Sequence, residues 1–388
     1  MSSTLKIDEA PEFDKTILIG GGHLTPALAT IEYFQKNHPN IRLIFVGREF
    51  SQEKEEQLAK EREACEELGI PFYAIEAAKF HRSVWWRNIL EIPRLLPSFW
   101  EAYQIVRQNN VDLFLSFGGY LAVPIALVTK LQGKKIVTHE QTRSSGLANE
   151  LIALIADKVA ISFPESADQF PKHKTILTGN PIRQKLLRSY KRPPAWLPTK
   201  IKPILYITGG SQGSQVINNA VGQILAELTA KFTVIHQCGR SPNQRYLRHL
   251  EEQALELSEN LQQHYFPREW IDEQEISWFM QHAALAISRS GANTTLEMTI
   301  HALPAIFIPL PFAHNNEQWK NAQSMVQAEA AVLLEQKDLT PSALLEKVMD
   351  TSAKRGYMRK RAEKLRDNLI LDGAENLGKL CLSLLPSR

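Results

Sequence analysis

Four times in this chain an apolar, strand-forming run ends in a glycine-containing turn. Residues 16–19 lead into Gly20-Gly21-Gly22-His23, residues 111–115 into Ser116-Phe117-Gly118-Gly119-Tyr120, residues 204–207 into Thr208-Gly209-Gly210-Ser211-Gln212-Gly213, and residues 283–287 into Ser288-Arg289-Ser290-Gly291. A short buried strand, a glycine turn and then a helical pattern is the signature of a βαβ unit in a parallel sheet. In such sheets ligands bind beyond the carboxyl ends of the strands, so two such turns in each half predict a cleft between two nucleotide-fold domains. None of the turns continues into Gly-Lys-Ser/Thr, and none has the full G-x-G-x-x-G spacing, which excludes a P-loop and a standard dinucleotide fingerprint.

The fourth turn opens the richest stretch, residues 288–297. Small residues and free backbone N–H groups at a strand end and helix start suit a phosphate. Glu297 follows further into the same helix, where its carboxylate can accept from two ribose hydroxyls. An ordinary solvated glutamate on an N-capped helix satisfies that stretch taken alone.

At 388 residues the chain is long enough for two domains, each with its own core. Strand-like runs alternate with helical patterns: residues 41–46, the charged run 53–68, then 111–115, 135–138 and 158–162. Residues 189–203 carry Pro193, Pro194, Pro198 and Pro203 among lysines and arginines and are expected to form a linker. The pattern restarts at 204–207, 232–236, 285–288 and 305–308. The expected organisation is an N-terminal domain over 1–188, a linker over 189–203, a C-terminal domain over 204–356 and a helical segment over 357–388 that returns to the first domain.

A net charge of +3 argues against nucleic acid, and the three cysteines, Cys65, Cys238 and Cys381, are too far apart for a metal cluster and suggest a reducing compartment. The polar start of the chain reads as no signal peptide, and no run approaches the ~18 apolar residues of a spanning helix.

The ordered motifs Gly20-Gly21-Gly22-His23 with Thr25-Pro26-Ala27-Leu28, Gly118-Gly119-Tyr120, His139-Glu140-Gln141, Gly179-Asn180-Pro181-Ile182-Arg183, Gly209 to Gly213, Arg289 to Glu297 and Gln318 to Ala322 together resemble the MurG family. These transferases move N-acetylglucosamine from UDP-GlcNAc onto undecaprenyl-diphospho-N-acetylmuramoyl pentapeptide. The resemblance implies a GT-B fold, two doubly wound Rossmann-like α/β domains, with the donor held mainly by the second and the acceptor by the first. It implies that Ile271, beside Trp270, meets uracil through its backbone, that Ser211 and Arg183 contact the diphosphate, and that the backbone of Ala292, Asn293, Thr294, Thr295 and Leu296 lies against phosphate and sugar. It further implies that Glu297 holds the ribose, that Gln318 bonds the GlcNAc hydroxyls, and that Gly20, Gly21, Gly22, Tyr120, His139, Glu140 and Thr142 serve the acceptor or its diphosphate. No cofactor or metal is expected. The chain has no Asp-x-Asp, which fits metal-independent inversion, and helix N-termini with an arginine can stabilise a leaving UDP.

His23 is the candidate general base, since an attacking hydroxyl must lose a proton and imidazole titrates near neutrality. A helix cap or a phosphate contact is the other role open to it. His139 and Glu140 are expected to pair with each other and with the acceptor, or else to satisfy each other structurally. Several positions depart from the family pattern, among them the first loop, Thr142, Ser144, Ser145 and Glu317. The first loop is usually Gly-Gly-Thr-Gly-Gly-His, whereas only Gly20 to Gly22 precede His23 here, and Thr142 stands where the family carries Asn.

Residues 79–100 place Phe80, Trp85, Trp86, Phe99 and Trp100 among Lys79, Arg82, Arg87 and Arg94, with a single acid, Glu91. Aromatics beside cations suit the headgroup boundary of an anionic membrane, and a packed helix pair with a basic face is the alternative. The expected activity is GlcNAc transfer to a lipid-diphosphate acceptor at the cytoplasmic face of the membrane. A UDP-GlcNAc 2-epimerase, or a non-catalytic UDP-sugar-binding scaffold, is the alternative to it.

Overall fold

The computed structural model describes residues 13–48, 50–51, 54–58, 60–75, 85–143, 145–188, 190–210, 212–312 and 316–386. The chain divides into two compact units, one of residues 1–183 with 370–388 and the other of residues 184–369.

In the first unit β1 (Lys15–Gly20), β2 (Ile41–Gly47), a short antiparallel pair β3 (Phe50–Ser51) and β4 (Lys54–Leu58), β5 (Phe72–Ala74), β6 (Leu113–Ser116), β7 (Lys135–Glu140), β8 (Lys158–Ile161) and β9 (Thr175–Leu177) follow in order. Seven of them form a parallel sheet in the order β5-β2-β1-β6-β7-β8-β9. The second unit carries β10 (Ile204–Thr208), β11 (Thr233–Gln237), β12 (Tyr265–Arg268), β13 (Leu285–Ser288), β14 (Ala305–Phe307) and β15 (Ala331–Leu333), all parallel, in the order β12-β11-β10-β13-β14-β15. Both are doubly wound α/β units of Rossmann type. The strand order reverses between β1 and β6 in one unit and between β10 and β13 in the other, and a ligand crevice opens at such a point.

The strands are apolar on both faces because helices cover both. Ile17, Ile19, Leu113 and Leu115 enter one core layer while Leu18, Ile44, Phe114 and Ile136 enter the opposite one. The second sheet alternates likewise, with Tyr206 and Ala286 on one side and Leu205, Ile207 and Ile287 on the other.

Several expectations shift. The charged run 53–68 is not one helix: Lys54–Leu58 is a strand paired with Phe50–Ser51, and the helix is Lys60–Glu67. Backbone pairing with the preceding strand overrides the helical propensity of its glutamates. The proline-rich 189–203 segment is packed onto the second unit. Leu197 is buried there, Trp196 lies against Phe266 and Phe279, and the Trp196 indole N–H donates to Glu275 at 2.8 Å. The expected C-terminal helical stretch is two helices. Pro341–Arg366 belongs to the second unit, and the chain rejoins the first from Ile370, with the helix Gly373–Leu384 against Leu24–Asn37. Glycine is required at that return because a Cβ on Gly373 would meet the Asn180 carbonyl, and one on Gly378 the Tyr33 ring.

At the first switch point two turns meet backbone to backbone. Gly21 has φ +132°, and a Cβ there would lie 2.5 Å from the Gly118 carbonyl oxygen. Gly21→Ala is therefore expected to destabilise the first unit by at least about 1–3 kcal/mol, from backbone strain alone. Gly69→Ala should cost less, because Gly69 also has positive φ but nothing within 4 Å of its Cβ position. Urea unfolding of the two variants side by side checks the ranking, which equal losses would contradict.

Candidate active site

In the first unit the turns after β1 and β6 interlock. The Gly22 N–H donates to the Gly118 carbonyl at 2.8 Å, and the Phe117 N–H donates to the Gly20 carbonyl at 2.8 Å. This fixes His23 at the N-cap of the helix Leu24–Asn37, but its side chain makes no cap hydrogen bond. Instead its Nδ1 lies 2.6 Å from Nε2 of Gln141, just past β7. Tyr120, half-buried after the second turn, has the Arg48 guanidinium 5.0 Å from its ring centre.

His139 and Glu140 do not pair with each other. His139 is fully buried against the Phe117 ring, with its Nε2 3.2 Å from Ser162 Oγ and 3.4 Å from the Gly179 carbonyl. Burial pushes its pKa down to about 3, against the Gly179 bond and with a smaller contribution from His23, so it is neutral at physiological pH. The Glu140 carboxylate winds the following loop about itself. Its Oε1 accepts from the Thr142 N–H at 3.0 Å and the Thr142 hydroxyl at 2.7 Å, and its Oε2 accepts from Asn149 Nδ2 at 2.9 Å and the Gly146 N–H at 3.3 Å. Both side chains expected to address an acceptor are thus turned inward, because a buried carboxylate at a strand end must find its donors locally. Arg183 gives both Nε, at 2.9 Å, and Nη2, at 2.6 Å, to Glu32 Oε1 within the same unit.

In the second unit the turn after β10 crosses the one after β11. A Cβ on Gly213 would strike the Cys238 carbonyl, and Gly213 has φ +75°. Ser214 then caps the helix Gln215–Gly222. The helix Ala292–Ile300 starts at the turn after β13, with Gly291 as an N-cap that has no side chain to cap with. Its first amides lack intrahelical acceptors. The Ser290 and Thr295 hydroxyls beside them are buried without a partner among the described residues. Glu297 is half-buried on this helix and its carboxyl forms no hydrogen bond among the described residues. Desolvation, with a smaller repulsion from Glu273, pushes its pKa up to about 8. Below about pH 8 the carboxyl therefore carries a proton.

Two residues that sequence reasoning gave no role organise this end of the sheet. Arg289 is buried without a carboxylate. Its Nη1 donates to the Ile308 and Pro309 carbonyls, each at 3.0 Å, and its Nη2 to Ser214 Oγ at 2.9 Å and Gln336 Oε1 at 2.7 Å. It ties the turns after β10, β13 and β14 together, and its place inside the Arg289 to Glu297 motif was the signal available. Gln237, at the end of β11, accepts from the Ile271 N–H at 3.3 Å and reaches Thr208 Oγ1 at 3.4 Å, which itself accepts from the Gly210 N–H at 3.1 Å. Ile271 is buried and Trp270 is partly exposed beside it, with Arg240 over its ring. Gln318 accepts from the Leu310 N–H at 3.0 Å through Oε1, so its NH₂ end is the one that can address a ligand.

Ser211, Phe80 and Arg82 lie outside the described residues, and for Trp85, Trp86 and Arg87 only the backbone of the helix Trp85–Gln108 is described. Among the described residues no group of histidines, cysteines and carboxylates has metal-site geometry, and no helix is long and apolar enough to cross a membrane.

Two doubly wound parallel sheets, one in each unit and each with glycine turns at its carboxyl edge, define a two-domain protein of the GT-B fold. Family models agree: residues 17–161 match the glycosyltransferase family 28 N-terminal domain and residues 204–377 its C-terminal domain. The UDP-N-acetylglucosamine--N-acetylmuramyl-(pentapeptide) pyrophosphoryl-undecaprenol N-acetylglucosamine transferase of Shouchella clausii is 31% identical over 342 residues, covering 87% of this chain and 90% of that protein. The enzyme of the same description from Clostridium kluyveri is 32% identical, covering 86% and 90%. The crystal structure of Acinetobacter baumannii MurG superposes with a TM-score of 0.70 at 23% identity over 95% of this chain and 99% of that one. A UDP-GlcNAc 2-epimerase from Neisseria meningitidis, with a TM-score of 0.64 at 12% identity over 95% of this chain and 100% of its own, shares the fold alone. The chain belongs to the MurG family, the UDP-GlcNAc-dependent glycosyltransferases of peptidoglycan synthesis.

Replacing Glu140 with Leu strands the Thr142 and Gly146 amides and the Asn149 side chain. The expected loss is about 2–5 kcal/mol, read as a lowered melting temperature, and Glu140→Gln, which keeps one acceptor, should lose less. Equal melting temperatures for wild type and Glu140→Leu would exclude the carboxylate as the loop's anchor.

Proposed function

We propose that this protein transfers GlcNAc from UDP-GlcNAc, with inversion and without a metal, to a lipid-diphosphate-linked N-acetylmuramoyl (pentapeptide) acceptor. The observation that carries the donor side is the unpartnered Glu297 carboxyl beside an uncapped helix N-terminus. The amides of Ala292, Asn293 and Thr294 face the donor phosphates, Thr295 and Leu296 continue that turn, and Glu297 takes the ribose diol. Ile271, held by Gln237, reads the uracil, and the Gln318 NH₂ reads the sugar. Ser211 and Arg183 serve the diphosphate, which requires Arg183 to exchange Glu32 for phosphate. The buried Arg289 guanidinium adds positive potential where UDP leaves. On the acceptor side Gly20, Gly21 and Gly22 present backbone to the lipid diphosphate, with Tyr120 flanking them, while His139, Glu140 and Thr142 shape the loop that carries Gln141. His23 takes the proton of the attacking hydroxyl.

The donor reading carries a pH signature. Ribose hydroxyls donating to Glu297 favour its ionised form, so binding releases the proton that the free protein holds below about pH 8. UDP-GlcNAc affinity should therefore strengthen from pH 6.5 towards 8, by at most about tenfold per unit, and level off above. Glu297→Gln should flatten the profile, and Glu297→Ala should weaken binding by about ten- to a hundredfold. Calorimetry in EDTA measures all three, and a flat wild-type profile would sink the assignment. Transfer of labelled GlcNAc to a lipid-linked muramoyl acceptor in detergent tests the reaction itself.

The acceptor cannot leave its bilayer cheaply, so the enzyme works as a peripheral protein at the cytoplasmic face of an anionic membrane. Three helices packed on one core layer of the first unit turn apolar residues outward: Trp100, 62% exposed on Trp85–Gln108, Leu127 and Leu131 on Ala122–Leu131, and Leu151 and Leu154 on Leu147–Ile155. Lys130 and Lys134 lie at the end of the second of these. The aromatic and basic residues Phe80, Arg82, Trp85, Trp86 and Arg87, which precede Trp100 in the sequence, belong to the same membrane proposal. Leu131→Ser with Leu154→Ser should cut co-sedimentation with anionic vesicles at least tenfold and leave UDP-GlcNAc binding and the melting temperature unchanged, since these side chains are 85% and 67% exposed. Unaltered co-sedimentation would place the membrane contact elsewhere.

A further inference from the structure

We propose that Gln141 is a positioning residue whose amide selects the tautomer of His23 and turns over as His23 takes the acceptor's proton. The inference rests on His23 being the base. Its first observation is the 2.6 Å approach of Gln141 Nε2 to His23 Nδ1. An amide NH₂ can only donate, so in this arrangement His23 Nδ1 accepts and the ring proton sits on Nε2. In that tautomer the far nitrogen is a donor and cannot act as a base.

The second observation is that Gln141 Oε1 is buried without a hydrogen-bond partner among the described residues. The carboxamide is nearly symmetric in shape, so a half-turn about its last side-chain bond exchanges oxygen and nitrogen without moving another atom. In the present orientation Oε1 is unpaired in the interior, so turning the amide over breaks no hydrogen bond of its oxygen. His23 selects the orientation. With Oε1 towards it, Nδ1 carries the proton, Nε2 holds a lone pair, and the ring is a base at the nitrogen remote from Gln141. Once protonated, imidazolium donates from both nitrogens, and an amide NH₂ facing Nδ1 at this distance would set donor against donor. Only the turned amide can accept.

The step balances. The acceptor's O–H bond breaks as its proton bonds to Nε2 of His23, and the oxygen's electron pair forms the new bond to the anomeric carbon. The bond from that carbon to the UDP oxygen breaks, and its pair leaves with UDP. Gln141 Oε1 meanwhile accepts from Nδ1–H of the cation.

The neighbouring polar groups have partners of their own. His139, which also feels the charge of His23, is neutral, and its ring nitrogen faces Ser162 and Gly179. The Glu140 carboxylate is engaged by Thr142, Gly146 and Asn149, Tyr120 sits beneath Arg48, and Glu32 on the His23 helix is paired with Arg183. The group placed against His23 Nδ1 is the Gln141 amide.

Gln141→Leu should lower kcat by about ten- to a hundredfold with donor affinity unchanged. Gln141→Glu, a permanent acceptor, should retain turnover and move the acid limb of the kcat profile up by about one pH unit, because its charge favours imidazolium. In a His23→Ala background Gln141→Leu should cost nothing more, since it acts only through the ring. The ¹⁵N shifts of the His23 ring, read in the intact enzyme, should report Nε2–H in the free wild type and Nδ1–H in Gln141→Glu, which keeps the idea testable even if Gln141→Leu folds poorly. A Gln141→Leu enzyme with wild-type kcat and pH profile beside a crippled His23→Ala overturns the role of Gln141 alone, as does an equal loss in the His23→Ala background. A His23→Ala enzyme that turns over normally removes the base itself, and this inference with it.

Discussion

The close approach of two glycine turns at the carboxyl edge of each sheet is the constraint on which the rest depends. In the first unit the Gly22 N–H reaches the Gly118 carbonyl, and no side chain fits at Gly21. That contact sets the start of the helix Leu24–Asn37 and the position of His23. In the second unit Gly213 abuts Cys238 and Gly239 just before Ser214 caps its helix. Turns pressed this closely have little conformational freedom left to lose when a phosphate arrives, so the cost of ordering the site is met in folding rather than in binding.

The two units handle polarity in opposite ways. Around the helix Ala292–Ile300 the second unit leaves groups unpaired: the Ser290 and Thr295 hydroxyls, the helix amides and a carboxyl that holds its proton. Buried groups of this kind cost free energy until a ligand satisfies them, and that makes them selective for a ligand with matching hydroxyls and phosphates. Arg289 keeps the arrangement from collapsing, since its donors hold three turns apart by their carbonyls and Ser214. The loop after β7 is instead internally satisfied through Glu140, and its open ends are few: Gln141 Oε1 and His139 Nδ1.

What the sequence made legible follows burial. The central strands of both sheets are buried on both faces and so appear as continuous apolar runs, and their glycine turns could be read directly. Within the two parallel sheets the strands not anticipated are β5, β9, β12 and β15, the edges of each. They are three or four residues long and partly exposed, so neither length nor alternation distinguishes them from loop. Prolines 193 to 203 suggested a free linker, but Trp196 and Leu197 carry enough apolar surface to pull that segment onto the second unit. Of the site, Glu297 and His23 were visible because their residue types are unusual at turn and helix starts. Arg289 and Gln237 act by bridging turns far apart in sequence, and such a role leaves no local pattern.

The departures from the family pattern acquire a physical meaning in this setting. Thr142 stands where an amide is usual, and its hydroxyl and backbone N–H both go to Glu140 Oε1. An asparagine there would bring a carbonyl oxygen that the carboxylate repels and an NH₂ that need not point inward, so part of its side chain would be available to a ligand. Threonine has only the one donor and turns it to the loop, which transfers the burden of outward polar contact to its neighbour. That neighbour is Gln141, the residue against His23. The shortened glycine loop acts in the same direction, because fewer residues between β1 and His23 leave less backbone to contact an acceptor diphosphate and tie the imidazole more tightly to the strand end. On the proposed assignment, both changes would concentrate the acceptor-side chemistry on the imidazole and amide pair.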